Sequence, residues 1–154
     1  MLRVVAAEPM QVVLEVFPPE LRAGEMDMCQ LIDDEPFWAQ IAELFEPEAD
    51  VRFLTPDAGL MGGMAGPFRG AAGFRAGWRE WLQPFDRFRV KVEHAQTAPD
   101  GRIVLLATTF GTLQGSSLEV EQPSAVVYAV RGSRISQADH YLEHEQALRD
   151  AGLA

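Results

Sequence analysis

Apolar positions in this chain recur first at helical spacing and then, past Pro84, at every second residue. Pro9 suits the first position of a helix, where a missing N–H costs nothing. Behind it Met10, Val13, Leu14 and Phe17 make a short apolar stripe, which Pro18-Pro19 ends. Between Glu20 and Ile32, Leu21, Met26, Met28, Leu31 and Ile32 predict one or two helical turns broken near Gly24. Asp33-Asp34-Glu35-Pro36 is a stronger start signal, because acids and a proline suit the positive end of a helix. Phe37, Trp38, Ile41, Leu44 and Phe45 then predict an amphipathic helix over 36–45, ended by Pro47 and Asp50, with a short strand from Val51 to Thr55. A second aromatic stripe, Phe74, Trp78, Trp81, Leu82 and Phe85, predicts a helix over 71–85.

Beyond that helix Phe88, Val90 and Val92 alternate with charged residues, and His94 continues the apolar side of this strand. Ala98-Pro99-Asp100-Gly101 turns the chain into 102–112, apolar on both faces and therefore expected at the centre of a sheet. Gln114-Gly115-Ser116-Ser117 turns it again into 118–130, where Pro123 requires a bulge or an edge. Gly132-Ser133 closes a hairpin with a last strand over 135–142, and a short helix follows. Helices first and then four strands joined by short turns predict an α+β fold, an antiparallel meander in a single domain over 1–154. Residues 1–8 show no period and are expected to be loosely held.

Composition narrows the functional classes. With 154 residues, 47% apolar residues and a net charge of −10, the chain is sized for a real core and repels phosphate backbones and anionic lipid. Nucleic-acid and membrane-surface partners are therefore not expected. Met1 to Glu8 is too short in apolar residues for a signal peptide, and no apolar run has the length of a membrane span. The solitary Cys29 rules out an intrachain disulfide and points to a reducing, cytoplasmic setting.

Candidate chemistry gathers in the C-terminal run, Ser124 to Gly152, which holds two of the three histidines. On its last strand Ser136, Ala138, His140 and Leu142 share one face, and Ile135, Gln137, Asp139 and Tyr141 the other. Small residues beside His140 leave room for a hollow, and a neutral imidazole there can exchange a proton near pH 7. The alternative is a structural, hydrogen-bonded histidine. Asp139 points away and is no ready partner. His140, Glu143 and His144 spell the letters of an inverted zinc-protease motif, but that motif needs both histidines on one helix, and the first sits in a strand. No cluster suggests a metal, no glycine pattern suits a phosphate, no serine elbow is present, and no cofactor is expected. Trp78 is open between core packing and a cavity wall. The glycine- and methionine-rich 56–70 is open between a plain connection and a flap whose Met61 and Met64 touch ligand.

The strings Pro47-Glu48-Ala49-Asp50-Val51, Phe68-Arg69-Gly70-Ala71-Ala72-Gly73 before a Trp78/Trp81 helix, Gly132-Ser133-Arg134-Ile135, and Tyr141 to Leu148 closed by Ala151-Gly152-Leu153 stand in a telling order. Together they resemble the SnoaL-like proteins of the nuclear transport factor 2-like superfamily, over about 33–153. That resemblance implies a cone: a strongly curved sheet wrapped around N-terminal helices, an apolar cavity, and often a homodimer packed through the sheets. It also implies kinship with polyketide cyclases, a ketosteroid isomerase and an epoxide hydrolase. His140 stands where the cyclases and the epoxide hydrolase carry an acid. The hydrolase's Arg-x-Asp pair is replaced by Thr108 and Phe110. The isomerase's carboxylate is replaced by Thr55, and its tyrosine has no counterpart among 10–17. No family mechanism transfers intact.

The resulting expectation is a small enzyme on a compact apolar molecule of polyketide, steroid or terpenoid type. His140 would transfer the proton, and Trp78, Tyr128, Phe74, Ala138 and Met61 would contact the ligand. The rival is a non-catalytic dimer that only binds. A cavity of roughly 300 Å3 opening at His140 favours the first, and an imidazole hydrogen-bonded within packed side chains the second.

Overall fold

Proline-opened helical turns and alternating strands meet in a single sheet, with most helices on one face and one short helix on the other. The structure is a computed structural model that describes residues 8–54 and 67–153. The 1–7 segment, Thr55, Met61 and Met64 lie outside the described residues. The elements are α1 (Pro9–Val16), α2 (Pro19–Arg22), α3 (Met28–Leu31), α4 (Glu35–Leu44), β1 (Phe45–Leu54), β2 (Phe68–Arg69) and α5 (Gly70–Trp81), followed by β3 (Phe85–Thr97), β4 (Ile103–Leu113), β5 (Glu119–Arg131), β6 (Arg134–Tyr141) and α6 (His144–Asp150).

The start signals act as capping chemistry predicts. Asp34 accepts a hydrogen bond from Phe37 N at 3.1 Å and so satisfies one of the free donors at the head of α4. Asp27 caps α3 through Cys29 N and accepts Phe88 N with the same oxygen, both at 2.9 Å, which ties that helical turn to β3. The α5 helix is shorter than its stripe suggested. It ends at Trp81 because the residue before Pro84 disfavours helical backbone, and Phe85 already belongs to β3. Gly132 supplies the left-handed φ of 64° that the last hairpin requires.

The sheet order is β2-β1-β6-β5-β4-β3, a curved and unclosed arrangement. The β3-to-β6 meander is antiparallel throughout, as expected. The expectation of a wholly antiparallel sheet needs one correction, since β1 lies parallel to β6. Parallel neighbours need a long crossover, and α5 with the whole meander supplies it. Pro123 meets the edge alternative: β5 pairs with β6 only over 125–131, so at Pro123 it has β4 alone beside it.

Two irregularities overturn face assignments made by simple alternation. Between Val92 and His94 the β3–β4 register slips, so His94 leaves the apolar side and lies exposed, its Nε2 3.3 Å from Gln96 Oε1. A second slip around Ser136 returns Ile135 to the side of Ala138, and both join one core cluster. That inner cluster joins α1, α4 and α5 to the sheet through residues such as Val13, Trp38, Phe74, Trp78, Leu105 and Tyr128. On the opposite face a smaller cluster, including Val104, Ala125, Val127 and Tyr141, is closed by Ala147 and Ala151 at α6.

Candidate functional site

Strand register decides which side chains meet. Within the inner face, β6 offers Ala138 and His140; β5 sets Tyr128 opposite Ala138 and Val126 opposite His140; β1 sets Val51 and Phe53 beside the same two residues. Helix α5 lays Phe74, Trp78 and Trp81 over them. His140, Trp78, Tyr128, Phe74 and Ala138 therefore share one interior, while Met61 falls outside the described residues.

The imidazole of His140 is 1% exposed and boxed by rings. Phe53 stacks on it at 4.3 Å and 14°, Phe74 lies at 5.6 Å, and Trp78 and Trp81 present themselves at 6.4 and 6.5 Å. Around the imidazole, aromatic packing stands where small neighbours suggested a hollow. Nδ1 is 3.2 Å from the carbonyl oxygen of Arg52, and a carbonyl only accepts, so Nδ1 carries the proton and donates it. In the neutral ring Nε2 is then a bare acceptor, buried and without a partner among the described residues. Loss of water pushes the imidazole's pKa down to about 4, although the Arg52 carbonyl and the charge of Asp139 pull the other way. At pH 7 the ring is uncharged.

Tyr128 stands in the same condition. It is fully buried, and its hydroxyl has no partner among the described residues. Burial raises its pKa, so it remains a neutral hydroxyl. A buried polar atom left unpaired costs about 1–3 kcal/mol, so two on one inner face are a feature to be explained.

On the outer face of the same strands the corresponding residue types all have partners. Asp139, 3% exposed, receives Arg52 Nε and one amino group at 2.8 and 2.7 Å, and Gln137 Nε2 at 3.0 Å. Arg52 thus holds Asp139 with its side chain and His140 with its carbonyl. Tyr141 donates to Asp150 at 2.8 Å. His144 Nε2 sits 2.8 Å from Ala107 O and 3.0 Å from Ser124 O, a donor shared by two strands. The His140-x-x-Glu143-His144 letters are accordingly split, one histidine inside and one pinning α6 outside.

Alternation alone could have pointed to Phe53, two residues from Val51 on a strand, but nothing in the sequence said that its ring would cover the histidine. Other features lie elsewhere. Surface depressions of about 520 and 550 Å3 are lined respectively by Trp38 with alanines of α4 and α5, and by Met26 with Arg87 and Arg89. Cys29 donates to Phe85 O at 3.6 Å, and burial with nearby Asp27 pushes its thiol up to about 11, away from the nucleophilic form. Among the described residues no group of three His, Cys, Asp or Glu is arranged to hold a metal ion, and no helix is long and apolar enough to cross a membrane.

Comparison with known proteins places this geometry. In fold the chain is similar to a nuclear transport factor 2-like protein from Burkholderia thailandensis E264 (TM-score 0.63, 17% identity, covering 96% of this chain and 97% of that one). It is also similar to TerC crystallised with polyporic acid (TM-score 0.62, 12% identity, 93% and 96% covered). A third likeness is to a protein of ketosteroid isomerase-like fold from Catenulispora acidiphila DSM 44928 in complex with trimethylamine (TM-score 0.57, 15% identity, 96% of each chain). No curated protein matches the chain by sequence. The family model for the SnoaL-like domain matches residues 34–138, from the cap of α4 to Ala138 within β6, and the chain belongs to that family.

Proposed function

We propose that this chain binds a small, mostly apolar molecule inside the cone, with one polar group of the ligand set between His140 Nε2 and the hydroxyl of Tyr128. The observation that carries this reading is the pair of buried, unpartnered polar atoms on one inner face, in a molecule whose outer histidine and tyrosine are both paired. The two atoms offer one acceptor and one hydroxyl, both uncharged at pH 7. They favour a neutral ligand of polyketide-, steroid- or terpenoid-like character, and an anion would meet a costly, dry surrounding. TerC with polyporic acid supports the class only by analogy of fold.

Proton transfer at His140 Nε2, of isomerase, cyclase or hydrolase type and without a cofactor, is the catalytic form of this proposal. Binding without catalysis is the second reading. The ring packing around His140 and its low basicity favour that second reading, because an imidazole with a pKa near 4 is a weak base at neutral pH. The assignment takes the chain as a single SnoaL-like domain over 1–154, a cytoplasmic homodimer paired through the outer sheet face. Half-buried Phe110 and Thr108 lie on that face beyond the cover of α6. Light scattering tests the dimer. The functional test is the ligand-induced melting shift of the wild type against His140→Ala across neutral hydroxylated polyketide-, steroid- and terpenoid-like compounds. A shift that the variant loses is expected, and the same response in both proteins would remove His140 from the site.

A further inference from the structure

The aromatic box around His140 is unequal. Phe74, Trp78 and Trp81 are all buried, at 2%, 5% and 4% exposure, whereas Phe53 is only partly covered. Phe53 is also the ring lying flat on the imidazole, at 4.3 Å and 14°, with Phe68 and Trp81 edge-on to it at 5.5 and 5.8 Å. Its rim fills a notch at Gly77 in α5. A Cβ there would stand 2.5 Å from Phe53 Cζ and closer still to Cε2. A glycine inside a helix costs about 1 kcal/mol relative to alanine, so the notch is maintained against helix propensity. The side chain that covers the imidazole is thus the one ring of this box within reach of solvent.

We propose that Phe53 is a displaceable cover, and that the ligand is a flat conjugated molecule whose ring takes Phe53's place on His140 and in the Gly77 notch. This rests on the binding reading above and narrows its ligand class. Shape is the reason. One ring occupies the space over the imidazole with aromatic edges beside it, so a planar π-system recovers the stack that Phe53 gives up, and a puckered ring does not.

Two probes of one carbon skeleton separate the possibilities: α-naphthol, which is flat, and decahydro-α-naphthol, which is puckered and greasier. Calorimetric titration of the wild type should give α-naphthol the tighter binding by about fivefold, against the trend of hydrophobicity. Phe53→Leu should bind α-naphthol more tightly still, since no ring must leave, and should lose the upfield ring-current shift of the His140 protons until ligand restores it. Gly77→Ala, which fills the notch, should weaken α-naphthol. Equal binding of the two probes, or unchanged or weaker α-naphthol binding in Phe53→Leu, overturns the cover and leaves the binding reading standing. Binding of neither probe to wild type or variants overturns both.

Discussion

The two faces of the β5–β6 pair carry the same polar residue types under opposite conditions. Outside, His144 is shared between two carbonyls, Tyr141 reaches Asp150, and Asp139 is held by Arg52 and Gln137. Inside, His140 has one nitrogen bonded and one bare, and Tyr128 has no partner among the described residues. The chain holds only two tyrosines, so each face has one. A polar group whose bonds are complete is sufficiently explained by stability. A buried group whose bonds are incomplete lowers stability, and a fold that keeps two of them on one face points to a ligand that completes them.

The widest separation of the faces should appear with acid. His140 has a folded pKa near 4, below the 6.5 of the free imidazole, so the unfolded chain takes up the proton first as pH falls. The stability tied to this neutral state is present above pH 6.5 and is lost progressively between pH 6.5 and 4. It amounts to about 3 kcal/mol. Denaturant melts of His140→Leu should lack that share of the acid loss. Identical pH profiles for variant and wild type would show that the interior is wetter than the ring packing implies.

Arg52→Ala comes next. It strips the guanidinium from a carboxylate that is 3% exposed and should cost about 2 kcal/mol, less than the roughly 3–5 kcal/mol of a fully buried pair because the Arg52 side chain is half in solvent. Equilibrium unfolding checks it, and a loss within error would mean that Gln137 alone suffices for Asp139.

The two tyrosines sharpen the contrast through sign rather than size. Tyr141→Phe should destabilise by about 1 kcal/mol through the lost bond to Asp150, and Tyr128→Phe should stabilise by about 1 kcal/mol, since it removes a buried hydroxyl with no partner. Thermal melts of the pair decide it: two losses would show that the Tyr128 hydroxyl has a partner after all. The smallest effect belongs to neither face. Arg79→Ala breaks only the exposed 3.2 Å pair with Asp33 and should move stability by less than about 0.5 kcal/mol.

Much of this architecture is readable from residue order, and the misreadings share one origin. The cap at Asp34, the break at Pro18, the hairpin at Gly132 and the edge at Pro123 are local matters, governed by φ, missing donors and nearby hydrogen bonds. So is the face that Ala138 shares with His140, whereas the side taken by Tyr128 was not readable from its own strand. His94 and Ile135 escaped because one slipped residue inverts every later position of a strand, and a slip depends on the neighbouring strand rather than on the strand's own letters. Phe53 escaped for a related reason: its importance comes from lying beside His140, 87 residues away, through a parallel pairing.

The sequence by itself determined most of the elements, their order, and which residue types could face a core, because backbone preference and side-chain period act within a few residues. Tertiary structure alone decided that β1 runs parallel to β6, that one histidine is held outside by two carbonyls while the other keeps a bare buried nitrogen inside, and that a phenylalanine lies across the second. Those outcomes depend on which distant surfaces touch, and burial, register and unpaired hydrogen bonds exist only once they do.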